Sequence, residues 1–114
     1  MPKLPQTPAD NKRNLRPLDF SAVNRAALAN FPAIVSRWLP GGRFAGQEYT
    51  ARNPRRNDRT EGSFRINTRT GAWSDFATGD KGGDPVSLAA YLFGLNQPDA
   101  ARKMALMLGL EAVK

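Results

Sequence analysis

An α+β fold, with a small antiparallel sheet of about three strands and helices on both sequence sides of it, follows from three observations. Apolar residues recur at helical spacing before residue 40 and after residue 84. Between those limits they alternate with polar ones, the period of a half-buried strand. No repeat is visible, and 114 residues suffice for one domain with a single modest core.

Residues 1–17 hold Pro2, Pro5, Pro8 and Pro17 with four basic residues and little that is apolar. Such a stretch cannot bury enough surface to offset its ordering entropy, so a flexible basic arm is expected ahead of a single domain spanning 18–114. Asp19 or Ser21 then caps a helix over "SAVNRAALANF", with Val23, Ala26, Ala27 and Phe31 on one face. Pro32 suits the first turn of a second helix, "PAIVSRWL". Its stripe is Ile34, Val35, Trp38 and Leu39, with Trp38 expected in the core, and "PGG" ends it.

Three strands follow: "QEYTAR", "GSFRINT" and "AWSDF". The turn "NTRTG" makes the last two an antiparallel hairpin, and a polar loop, "RNPRRNDRTE", joins the first two. Alternation sends Phe64 and Ile66 to one face, Arg65 and Asn67 to the other. Two helices close the chain, "DPVSLAAYLFGL" and "QPDAARKMALMLGL", the second begun by Asn96 or Gln97. Their expected stripes are Val86, Ala89, Ala90 and Phe93, then Ala101, Met104, Ala105 and Leu108. Methionines at that spacing read as core filler.

Charge narrows the function. The chain carries +7 and a pI near 10.6, which points to an anionic partner, nucleic acid before membrane surface. Between residues 43 and 69, seven arginines (Arg43, Arg52, Arg55, Arg56, Arg59, Arg65, Arg69) face three carboxylates and leave the segment +4. None of its cations is lysine. A guanidinium binds phosphate bidentately and stacks on bases, which an ammonium cannot do. A basic strand face with rings in reach suits single-stranded nucleic acid. The competing reading is a solvated face of local Arg–Asp pairs. Trp73 either joins the core beside Phe64, which its apolar area favours, or lies at the sheet edge. With Lys81 it completes the candidate set for nucleic-acid binding.

The stretch "TGDKGGDP" is a helix start before it is anything else. Asp84 offers an oxygen to free amides and Pro85 lacks an amide at the first helical position. Gly79, Gly82 and Gly83 permit a tight turn and close backbone approach, but no Lys-Ser/Thr pair makes them a P-loop. Asp75, Asp80 and Asp84 lack the spacing of a calcium loop. With no cysteine and no histidine, zinc ligation and Ser-His or Cys-His catalysis have no residues to use. The expectation is therefore a binding module with no cofactor and no catalytic residues. No stretch nears the ~20 apolar residues of a membrane span, and no signal-peptide core is visible, so the cytoplasm is the expected compartment.

The order of loop, Ser-Phe strand, hairpin, aromatic, Gly-Asp and apolar helix resembles the N-terminal zinc-binding domain of bacterial, phage and plasmid DNA primases. The likeness covers roughly residues 34–110, most specifically 71–92. Asn53-Pro54 stands where that family has Cys-Pro, and Ser63-Phe64 where its Ser-Phe strand begins. Asp75-Phe76-Ala77-Thr78 stands at the Cys-x-x-Cys, ahead of Gly83-Asp84. All four ligands are gone. The resemblance thus implies a zinc-ribbon-like hairpin without zinc, and template recognition on single-stranded DNA in phage- or plasmid-type replication. It leaves no room for the polymerase, so a fragment or stand-alone accessory protein is implied. The alternative is an interaction module whose arginine face docks on an acidic partner such as a primase or helicase.

A structural zinc contributes on the order of 10 kcal/mol to folding, so its loss requires a replacement. Packing of Phe64, Trp73, Phe76 and the long helices, with polar contacts from Asp75 and Thr78, is expected to supply it. Prolonged chelation should leave the melting temperature unchanged. One stoichiometric zinc per chain in purified, untagged protein overturns that expectation.

Overall fold

The computed structural model describes residues 19–55 and 63–110. The expected basic arm at 1–17 lies outside these, as do Arg56 and Arg59. Two helices, α1 (Phe20–Ala29) and α2 (Phe31–Trp38), lead into five strands: β1 (Arg43–Ala45), β2 (Glu48–Ala51), β3 (Phe64–Asn67), β4 (Trp73–Asp75) and β5 (Lys81–Gly82). Helices α3 (Pro85–Phe93) and α4 (Gln97–Met107) complete the α+β architecture.

The strands form one antiparallel meander in the order β1-β2-β3-β4-β5. The three strands expected from alternation are β2, β3 and β4. The two edge strands are additions, and each has a reason for being illegible. β1 is exposed at all three positions, so it shows no alternation, and β5 is the two-residue run Lys81-Gly82. The β3–β4 hairpin is held as its sequence suggests, with the Asn67 side-chain oxygen accepting from the amides of Arg69 and Thr70.

One core lies between the helices and one face of the sheet. The sheet contributes Tyr49, Ala51, Phe64, Ile66 and Trp73; the helices contribute Val23, Phe31, Val35, Val86, Leu88 and Ala101 among others. Register aligns Tyr49 with Ile66 and Ile66 with Trp73, so this buried row crosses three strands. Tyr49 also satisfies its polar end there: its hydroxyl donates to the Leu39 carbonyl and accepts from the Gly42 amide at 3.1 Å.

Two stripe assignments need correction. Phe93 is 53% exposed, because α3 turns Leu88 and Leu92 toward the core instead. Trp38 is only partly buried: it is the last residue of α2, and its ring packs edge-on against Phe93 at 5.5 Å.

The helix starts follow their caps. Asp19, not Ser21, caps α1 through the Ala22 amide, and Asn96 caps α4 through the Asp99 amide. Asp84 caps α3 within a reciprocal box: its carboxylate accepts from the Ser87 amide, and the Ser87 hydroxyl oxygen accepts from the Asp84 amide. The next amide, Val86, donates to Asn24 of α1 at 2.9 Å, which ties the first helix to the third. Asp84→Ala is expected to cost about 0.5–2 kcal/mol in a urea melt through the lost cap. An unchanged midpoint would show that Asn24 and Pro85 suffice to start the helix.

Candidate functional site

The side chains of the sheet's other face are set by strand alternation. Register places Arg43 opposite Thr50, Thr50 opposite Arg65, Arg65 opposite Ser74, and Ser74 opposite Lys81. A single row therefore crosses all five strands as Arg–Thr–Arg–Ser–Lys. At about 4.8 Å between neighbouring strands it spans roughly 19 Å. Arg43, Arg65 and Lys81 are exposed, and Thr50 and Ser74 partly so. Beside the row a shallow groove of about 340 Å³ is lined by Glu48, Arg65, Asn67, Ser74, Lys81 and Gly82.

An aromatic ring belongs to this face. Phe76 is 68% exposed, and the Arg65 guanidinium lies 5.4 Å from its ring centre. It does not join the core as zinc replacement, contrary to expectation. Asp75 before it points inward, so the next side chain must point out. Trp73 takes the core position that its apolar area favours, 5% exposed on the opposite side, and so leaves the candidate set for nucleic-acid binding. Its indole N–H donates to the Ser87 hydroxyl at 2.9 Å, and its ring stacks near Tyr91 at 4.7 Å and Phe64 at 6.1 Å. Trp73 is a core residue with a satisfied donor. The signal that could have found Phe76 was present: a ring two positions beyond Ser74 shares its face.

The remaining candidates divide: by the same alternation Arg52, two positions beyond Thr50, falls on the row's face, and the others do not join the row. Arg52 is exposed one residue past β2. Arg69 lies at the hairpin tip and donates to the Gln47 side-chain oxygen at 3.0 Å. Arg55 lies over the Tyr91 ring at 5.9 Å, beside α3 and away from the row. Arg65 approaches Glu48 at 4.0 Å, an exposed pair of the kind worth little in water.

Beneath the sheet's far end, two loops are joined by buried polar groups. Asn53 is 1% exposed and Asp75 is fully buried. The Asn53 side-chain amide donates to Asp75 Oδ2 and to the Tyr91 hydroxyl, both at 2.8 Å. Tyr91 in turn donates to Asp80 at 2.8 Å. Each loop also closes on itself: Asn53 Oδ1 accepts from the Arg55 amide, and Asp75 Oδ1 from the Ala77 amide. Thr78 contributes locally, its hydroxyl accepting from the Asp80 amide. Burial pushes the Tyr91 phenol above its ordinary value; acceptance by Asp80 raises it further and the Asn53 bond opposes the rise. Tyr91 therefore remains a donor throughout the neutral range.

These contacts also occupy the aspartates. Asp75 holds Asn53, Asp80 holds Tyr91 and Asp84 caps α3. Among the described residues no three Asp, Glu, His or Cys side chains converge as metal ligands would. The glycines have structural work as well: Gly79 turns at φ +83°, and a side chain at Gly82 would collide with Trp73 and Ser87. No helix among the described residues is long and apolar enough to cross a membrane. No protein-family model matches the chain, and no curated protein matches it.

Proposed function

We propose that this protein is a non-catalytic binding module for single-stranded nucleic acid, DNA in the first instance, which lies across the open face of the sheet. The observation that carries the reading is the row Arg43–Thr50–Arg65–Ser74–Lys81, three cations and two hydroxyls aligned across five strands. Cations in line follow a phosphate backbone, and the hydroxyls add neutral donors between them. Phe76, already faced by a guanidinium, offers its ring to a base. A duplex demands an element that enters a groove; a basic sheet face with an exposed ring beside its row suits bases already unstacked.

The resemblance to primase zinc-binding domains supports the same partner and adds a setting, phage- or plasmid-type replication in the cytoplasm. In this reading Asn53 and Asp75, which stand at the first position of each former ligand pair, join the two loops by a hydrogen bond of 2.8 Å in place of a metal. Replication proteins are the accompanying partners.

A salt titration with a fluorescent single-stranded oligonucleotide tests the proposal. Affinity should fall linearly in log–log form as salt rises, because each neutralised phosphate releases counterions. An absence of binding at low salt, or binding indifferent to salt, would transfer the basic face to an acidic protein partner.

A further inference from the structure

The helical side of the molecule carries an apolar surface that the nucleic-acid reading leaves unused. Where α2, α3 and α4 meet, a groove of about 380 Å³ is lined by Trp38, Phe93, Leu95, Met104 and Met107, with Lys103 at its side. A second depression of about 210 Å³ adjoins it through shared Trp38 and Met107, and Arg37 lines that one. Phe93 and Met107, both in the lining, are 53% and 43% exposed, and Leu106, next to Met107 in the chain, is 80% exposed. None of the groove residues belongs to the arginine row. Rings and flexible methionines gathered in a concave strip are the composition of a surface that accepts a helix.

Charge identifies the occupant. Among the described residues the only ionisable groups lining the two depressions are Arg37 and Lys103, both cationic. Neither forms an ion pair among the described residues. A second copy, docked by a two-fold axis, would bring these cations against their own kind across an apolar contact. The chain's own residues 1–18 are also unsuited, with Lys3, Lys12, Arg13 and Arg16 against a single acid, Asp10. We infer that the α2–α3–α4 groove docks an amphipathic helix of another protein, with large apolar anchors on one face and acidic residues flanking them. The module would then hold nucleic acid on its sheet and a protein on its helices, by surfaces that share no residue.

The test is selection of the full chain against a displayed library of amphipathic helices of about 16 residues, some 24 Å long. Apolar residues are fixed at i, i+3, i+7 and i+10, and flanking positions vary freely among charged and neutral types. Clones enriched in Glu and Asp at the flanks are expected. Phe93→Glu should weaken the best peptide at least about tenfold, as loss of a central anchor does. Arg37→Glu with Lys103→Glu should turn the preference toward basic flanks. All three positions are solvent-accessible, so circular dichroism of each variant should match the parent. Enrichment of neutral or basic flanks from the parent chain, no enrichment, or binding unaffected by Phe93→Glu would overturn the inference. So would a dimer in sedimentation that Phe93→Glu dissolves, since a second copy would then be the occupant.

Discussion

Replacing Asp75 by alanine is expected to destabilise the protein by about 2–4 kcal/mol, the largest single-residue loss away from the apolar core. The carboxylate is fully buried and accepts from Asn53 Nδ2 and from the Ala77 amide, each at 2.8 Å. Removing it leaves the Asn53 amide buried with one acceptor fewer, the Tyr91 hydroxyl remaining, and takes the partner from the Ala77 amide at a part-buried contact. A stranded buried donor costs about 1–3 kcal/mol, more than the net worth of the bond itself. For a domain of this size each kcal/mol moves the melting temperature by about 4–8 °C, so a drop of about 8 °C or more should appear in a thermal scan. Asn53→Ala should reproduce most of the effect, because the two side chains act on one contact. In a double-mutant cycle the pair should couple by about 1 kcal/mol or more. A melting point that stays within a few degrees of the parent would mean that helix packing alone holds the loops.

That contact also marks where sequence reasoning was strong and where it failed. The helices and the three central strands were legible because their apolar residues kept a period, and because Asp19, Asp84 and Asn96 are cap residues at the right offsets. The edge strands were not, since exposed residues in a three-residue strand carry no pattern. The arginine cluster was visible as composition, but composition has no register. Only pairing reveals that Arg43 and Lys81, 38 positions apart, lie in one row with Arg65. Phe76 was assigned to the core for its apolar character, whereas its place is decided by the inward demand of Asp75. Asn53 stood out in the sequence only by its place in the resemblance; its amide bridging a carboxylate and a phenol depends on a side chain 38 residues away, which no local pattern encodes.

Because the arginines divide by position, their removal should divide by effect. Changing Arg43, Arg65 and Lys81 together to serine is expected to weaken binding of a single-stranded oligonucleotide by about two to three orders of magnitude at low salt. Each is taken to give one charge-assisted hydrogen bond to phosphate, worth about 1.5 kcal/mol or a little less where exposed. The slope of log affinity against log salt should shrink by about 2, at roughly 0.7 per single-strand contact. Phe76→Ala should separate from this cleanly. A lost stacking platform costs about 1–3 kcal/mol per base, so affinity falls, but no phosphate contact is removed and the slope should stay where it was. Arg55→Ala should do little to either quantity, because that guanidinium lies over Tyr91 beside α3 and not in the row. All five positions are exposed, so urea melts should stay near the parent value. Fluorescence anisotropy across a salt series reads affinity and slope in one experiment. If Arg55→Ala were to cost as much as the row variant, or if the row variant were to bind with the parent slope, the nucleic acid would have to run along the α3 side and the sheet face would lose its assignment.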